Sequence, residues 1–404
     1  MTLRVAVDFG TSSTCVAVSV HGREPQVVVV DGQPLVSSAV FAAADGELFV
    51  GQEAERQAAI DPARYEPHPK RRIDERELLL GSSVVEVLDV VGAVLARAVS
   101  EARRLAGGAP VDLLVLTHPA DWGAVRSRVL RQAGHDLADE VVLVPEPVAA
   151  AVFHAASHSL DDGATLAVLD LGGGTVDVSV VRRQPASSRP GMPAPVSAST
   201  GRAGDRAGGF GVLATKGDPN FGGADIDQLL LGHIGSLVTA EDPEAWRKLV
   251  EGRDLPDRRR RRVLAEDVRG AKETLSRHTY TDVPLPPPFP DAHITRADLE
   301  RLIVSPLRRA VDLTVSAIAE AGLRPDELGA VFLVGGSSRI PMVARLVHER
   351  THIVPTTLDQ PETVVARGAL RAVSKDPNQT GDLPTVHISH PAGRAPTARR
   401  QPPG

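Results

Sequence analysis

Leu3 to Val7 is a short run of β-forming residues that ends at Asp8. The next six residues, Phe9-Gly10-Thr11-Ser12-Ser13-Thr14, read as a turn, and Cys15 to Val20 is a second β-rich run. The pattern predicts strand, turn, strand. It returns later in the chain, with Leu166 to Leu169, then Asp170-Leu171-Gly172-Gly173-Gly174-Thr175, then Val176 to Val181. Each copy sets an Asp at the end of an apolar strand, a Gly two residues on, and a small hydroxylated turn before the returning strand.

Alternating elements lie around and between the copies. Val84 to Ala106 has helical apolar spacing, Val111 to Leu116 reads as a strand, and Trp122 to Ala133 as a helix. Val141 to Val144 predicts a strand, and Pro145-Glu146-Pro147 leads into an Ala-rich helix over Val148 to Ala156. Proline suits a helix start because the first amides need no internal partner, so Glu146 falls near a strand-to-helix junction. In the second half Val212 to Thr215 runs into a Gly-rich turn and a helix over Ile226 to Leu237, then a polar helical region over roughly 240–278. Thr295 with Asp298 three residues on predicts a capped helix start. Val331 to Val334 reads as a buried strand feeding Gly335-Gly336-Ser337-Ser338-Arg339-Ile340-Pro341 and another helix. Strands alternating with helices predict an α/β fold. The three spaced glycines of the dinucleotide fingerprint and the GxxxxGK[ST] loop are both missing.

Composition narrows the picture. The chain has 404 residues, enough for more than one domain. Its formal charge of -6, from 45 basic and 51 acidic residues, gives no general reason for a nucleic-acid partner. The run Arg258 to Arg262 reads as a solvated helix face. Cys15 is the one cysteine, so no intramolecular disulfide can form. The N-terminus lacks a secretory-signal pattern, and no apolar stretch is long enough to span a bilayer. A soluble, cytoplasmic, monomeric protein without membrane contact is expected. Residues 184–208 and 373–404 are rich in Pro, Ser, Ala and Gly and show no periodic apolar face. They are expected to be a flexible insertion and a disordered tail.

The duplicated hairpins suggest a chemistry. Glycine removes the Cβ that would keep backbone amides away from a phosphate. Thr11, Ser12 and Thr175 add hydroxyl donors, and Asp8 and Asp170 at the strand ends can hold a hydrated magnesium ion. Asp177, seven residues beyond Asp170, falls on the returning strand and is expected to face the same cleft. One such hairpin reads as an ordinary glycine turn; two with matched acids point to a phosphate clamp. His118, His154 and His158 do not form a convincing metal set.

With their order and spacing, these motifs over about residues 1–372 resemble the heat-shock protein 70 family, the DnaK-type chaperones. The pieces that carry the resemblance are Val7 to Ser12, Pro145-Glu146-Pro147 with Ala149 to Ala151, Asp170 to Asp177, Leu213 to Thr215 with Gly217-Asp218, Gly222-Gly223, and Leu333 to Pro341. The resemblance implies the actin-like, sugar-kinase superfold, with two lobes of related ribonuclease H-like domains around a nucleotide cleft. Lobe I would be residues 1–165 and lobe II residues 166–372. It implies ATP or ADP as ligand, Mg2+ as metal and K+ as a candidate further ion, with Asp8, Asp170 and Asp177 around the metal. Lys70, Glu146, Asp170, Thr175 and Asp177 take the catalytic roles. Gly10, Thr11, Ser12, Gly172, Gly173, Gly174, Gly222 and Gly223 are expected at the phosphates. Lys272, Ser276, Gly335, Gly336, Ser337, Arg339 and Glu362 are expected at the nucleoside. Three positions depart from the family pattern: Arg269 stands where a glutamate is usual, Glu273 where a basic or apolar residue is common, and Glu362 where an aspartate is common.

The implied function is slow hydrolysis of ATP by a chaperone-like domain lacking the usual peptide-binding domain. Its expected partners are co-chaperones, a nucleotide-exchange factor or a client protein. The alternatives are a non-hydrolysing ATP-binding regulator, a small-molecule kinase and an actin-like filament protein.

Overall fold

The computed structural model describes residues 2–30, 32–185, 208–240 and 242–373. Its two main sheets are built on one plan. In the first, β1 (Leu3–Phe9) and β2 (Ser13–Val20) form an antiparallel hairpin. β3 (Leu113–His118) runs parallel to β1, and β4 (Glu140–Pro145) parallel to β3. The short strands Gln26–Val27 and Leu35–Ser37 pair with β2. In the second, β5 (Thr165–Leu171) and β6 (Val176–Arg183) form the hairpin, and β7 (Phe210–Asp218) extends it antiparallel. β8 (Ala330–Val334) runs parallel to β5 as β3 does to β1. Both first strands therefore end centrally, each flanked by a parallel strand and its own returning strand, which brings their terminal acids to comparable places.

The central runs of β1 (residues 5–7) and β5 (residues 166–169) are apolar on both faces because both faces are covered. Leu3, Val5, Val7 and Phe9 pack in one core with α1 (Val87–Leu105), whereas Ala6 points the other way. In β5, Ala167, Leu169 and Leu171 face a second core, and Leu166 and Val168 face the side that Ala6 shares. That shared third core lies between the two sheets and holds α2 (Glu146–Ala155), while the second holds α3 (Gly223–Val238), α4 (Leu255–Leu275) and α5 (Arg296–Glu320). The between-sheet core is completed by α6 (Val364–Ala372). Ala149, Ala150 and Ala151 are fully buried there. A Cβ built on Gly368 would come within 2.0 Å of the Ala149 carbonyl oxygen, so α2 and α6 cross backbone against backbone. The second core also takes Trp246, edge-on to Phe289 with centroids 5.8 Å apart.

Several boundaries move. Val84 and Val85 belong to a strand, Ser83–Glu86, paired with Glu77–Leu80, and the helix starts only at Val87. Two helices, Pro243–Glu251 and α4, replace the single polar region over 240–278. Gly252 ends the first and the Asp254 side chain caps the second by accepting from the Asp257 N–H at 2.9 Å. Trp122 precedes the helix Ala124–Gly134, and Glu146 lies inside the first turn of α2. Thr295 caps α5 as expected, accepting from the Asp298 N–H at 3.2 Å while the Asp298 carboxylate accepts the Thr295 N–H at 3.0 Å. Arg260 and Arg262 in the basic run pair with Asp257 and Glu266 of their own helix. Most of the expected insertion (186–207) and nearly all of the expected tail (374–404) lie outside the described residues. Among the described residues no helix is long and apolar enough to cross a membrane.

Candidate functional site

The ends of β1 and β5 open into a cleft of about 1110 Å3 lined by both hairpin turns, the Pro69–Arg72 turn, the start of α2, the face of α3 and α4, and the Gly335 loop. Asp8 sits at the end of β1. Thr117, at the matching end of the parallel neighbour β3, donates its hydroxyl to Asp8 Oδ1 at 2.7 Å. Burial pushes the Asp8 carboxyl up to about 6, Glu146 adds to this, and Lys70 and Thr117 oppose it. Asp170 and Asp177 are cross-strand partners on the second hairpin. Burial, then Glu146, Asp177 and Asp8, raise Asp170 well above the usual carboxylate range. Asp177 is raised to about 6 by burial and Glu146, against the 2.9 Å hydrogen bond that it accepts from Thr175 Oγ1.

Lys70 Nζ meets this group from the Pro69–Arg72 turn, 2.8 Å from Glu146 Oε1. The two side chains are only 10% and 11% exposed, so this is not a surface charge. Burial works against the ammonium, but Glu146 and Asp8 outweigh it and Lys70 is held above its ordinary value. Four carboxylates thus crowd one ammonium. Such a set favours an added cation, because Asp8, Asp170 and Asp177 are each raised partly by like-charged neighbours.

The turns themselves interlock. A Cβ on Gly173 would lie 2.8 Å from Ser12 Oγ, and one on Gly174 2.8 Å from Thr11 Cγ2. Ser12 Oγ is buried without a hydrogen-bond partner among the described residues. Gly335 has φ 80°, and a Cβ there would fall 2.4 Å from Asp170 Oδ1, so only glycine lets this loop close over the second hairpin. Carboxylates suited to a hydrated hard cation, an orphaned hydroxyl and bare glycine backbone together fit a magnesium-bearing polyphosphate. No three His, Cys, Asp or Glu side chains among the described residues are grouped so as to enclose a metal directly.

Further along the cleft, Lys272 Nζ of α4 lies 2.8 Å from Asp227 Oδ1 of α3 and donates to the Gly223 carbonyl at 3.0 Å. Burial raises Asp227, and Lys272 counters it. Ser276 donates its hydroxyl to the Lys272 carbonyl at 3.1 Å. Arg339 pairs with Glu362, while Arg339 Nε and Glu362 Oε2 stay buried without hydrogen-bond partners among the described residues. Gly10, Thr11, Ser12, Gly172, Gly173, Thr175, Gly223, Gly335, Gly336 and Ser337 all line the cleft, with Arg269 on its wall. Gly174 and Gly222 do not: they pack against each other behind the second turn, where a Cβ on Gly222 would meet Gly174 carbon at 2.6 Å.

Sequence reasoning passed over four groups here. Thr117 reaches Asp8 from beneath the cleft through strand pairing, and Asp227 lines the cleft, four residues after Gly223 and so on the same helix face. Arg71 donates to the carbonyls of Gly174 and, at 3.2 Å, Pro219. Trp122 forms part of the wall near Lys70. The histidines go elsewhere. His154 stacks on His158 and lies tilted at 42° to Phe332, and burial lowers it to about 4.

The Hsp70 protein family profile matches residues 205–380. Chaperone protein dnaK1 of a Nostoc species is 32% identical, and chaperone protein DnaK of Trichormus variabilis 30% identical. Each comparison covers 90% of this chain and 53% of the relative. The chain is thus homologous to DnaK proteins over most of its own length and spans about half the length of these curated relatives.

Proposed function

We propose that this chain is a magnesium-dependent, slowly turning-over ATPase domain of the heat-shock protein 70 type, with two related lobes of the actin-like superfold closing on the nucleotide. The observation that carries this reading is the convergence of Asp8, Glu146, Asp170 and Asp177 on Lys70, between two hairpins of the same design.

Asp8, Asp170 and Asp177 would hold Mg2+ through its water shell, and the ion when bound would neutralise charge on the phosphates. The backbone of the Gly10–Ser12 and Gly172–Thr175 turns binds phosphate oxygens. Lys70 adds a fixed positive charge at the same place, held by Glu146 at 2.8 Å. Asp177 fixes the Thr175 hydroxyl by accepting from it, so that Thr175 meets the phosphates in one orientation. The closed turns exclude bulk water. At the other end, Lys272, Ser276, Arg339 and Glu362 receive the nucleoside. Nucleotide-driven closure then signals to a co-chaperone, an exchange factor or a client.

The test is phosphate release from ATP by the full chain with and without magnesium. Lys70→Ala and Asp170→Asn are expected to lower it by about 10²-fold or more. Wild-type protein that binds ATP yet releases no phosphate above background would leave only a binding module. Stimulation by an added sugar or glycerol would favour a kinase.

A further inference from the structure

Lys70 has a second neighbour that the hydrolytic scheme does not use. Its Nζ stands 5.5 Å from the centroid of the Trp122 ring, close enough for the negative face of an indole to attract an ammonium. Trp122 is half-buried in the turn between β3 and the helix Ala124–Gly134, and its ring stacks with His118 at 6.4 Å and 23°. A second cation approaches the same ring: Arg126 Cζ lies 6.0 Å from its centroid. That charge is already engaged. Arg126 Nε and Nη2 donate to both oxygens of Asp74 at 2.5 to 2.9 Å, which holds its guanidinium at Asp74.

We infer that Trp122 is a positioning residue for Lys70, a non-directional partner that keeps the ammonium seated at the cleft wall as it turns from Glu146 toward a phosphate. The inference rests on the ATPase reading for its consequence, but the contact stands on geometry alone. An ammonium has three donors, and a carboxylate at 2.8 Å holds it in one direction. An aromatic face holds it without fixing its donors. Lys70 is nearly enclosed, so release from Glu146 into an apolar wall would cost its desolvation, whereas release onto an indole keeps most of that stabilisation. The other carboxylates around it are Asp8, Asp177 and Asp170, whose charges favour the ammonium as well. Asp121, next in the chain to Trp122, also lines the cleft, and its charge reaches both Asp177 and Arg126.

The chain has only five lysines, so full-length protein labelled at lysine Cε gives a resolvable spectrum, in which Lys70 is identified by its loss in Lys70→Arg. In wild type the Lys70 resonance is expected to be displaced upfield by the ring. Trp122→Leu should abolish that displacement and Trp122→Phe should retain part of it. In single-turnover hydrolysis, Trp122→Leu is expected to be slower by about tenfold, with ATP affinity within about twofold of wild type and Trp122→Phe largely restored. A Lys70 resonance that is the same in wild type and Trp122→Leu overturns the inference. So does an equal loss of rate in the Phe and Leu variants, which would mean simple packing. If Trp122→Leu does not fold, Asp74→Asn replaces it: unpairing Arg126 should let it compete for the ring and reduce the Lys70 displacement, and no change there overturns the inference. Wild-type protein without hydrolysis defeats the ATPase reading, while the resonance still decides the contact.

Discussion

Asp177 shows at the residue scale what the crowding of the cleft does to the protein. Its carboxyl is raised from 3.8 to about 6, first by burial and then by Glu146. The folded chain therefore holds this proton more tightly than the unfolded chain. The associated stability is complete below about pH 4 and is lost as pH rises through about 6. Asp177→Asn removes the penalty. Without ligand it should be more stable than wild type by on the order of 1–2 kcal/mol near neutral pH, after discounting for cleft solvent. The gain should vanish toward about pH 4, which thermal melts across that range would check. A gain that did not depend on pH would mean that the carboxylate is not strained. Asp8 and Asp170 were legible in the sequence because a duplicated pattern set an acid at two strand ends. Thr117 and Asp227 carry no such mark. Thr117 reaches Asp8 only through the parallel register of β1 and β3, across 109 positions of chain.

At the scale of elements, the crossing of α2 and α6 is the tightest fit. Gly368→Ala would drive a methyl group to 2.0 Å from the Ala149 carbonyl oxygen, so the helices must separate. The expected cost is about 2–3 kcal/mol, read as a lower urea midpoint with unchanged slope. Hairpins and capped helices could be read in advance because their signals are local. Asp170 with its turn is one case, and Thr295 with Asp298 another. The helix break at Gly252 was missed because polar residues with helical spacing continue on both sides of it. Val84 and Val85 fit a helical stripe equally well, and only the paired strand Glu77–Leu80 settles them as β. The small residues of α2 suggested a helix, but nothing nearby said that Gly368 would lie on them.

At the scale of the whole molecule, Arg71 ties parts of the chain that are far apart. Its guanidinium holds the Gly174 carbonyl, 103 residues away, and the Pro219 carbonyl, 148 residues away. Lys70, its neighbour in the same short turn, points into the carboxylates instead. One turn thus carries both the lysine of the carboxylate cluster and the arginine that bridges to the second hairpin. Arg71→Ala should speed release of a fluorescent nucleotide by about three- to tenfold in stopped-flow measurement. Its melting temperature should stay close to that of wild type, since Arg71 is exposed. Unchanged release would mean that the contact does not hold the cleft shut. The repeated hairpins made two strand-turn-strand units of one design legible, but a bond between a side chain and a distant backbone carbonyl leaves no periodic or compositional trace.

The two tryptophans lend the molecule an optical consequence. Trp122 stands at the cleft wall beside a lysine and a histidine, whereas Trp246 is packed on Phe289 and Gly235 in the second core, away from the cleft. One indole is placed to change its emission when the cleft fills, and the other gives a steady background. Emission is therefore expected to report cleft occupancy without a label, read against Trp246 as an internal reference in the same chain.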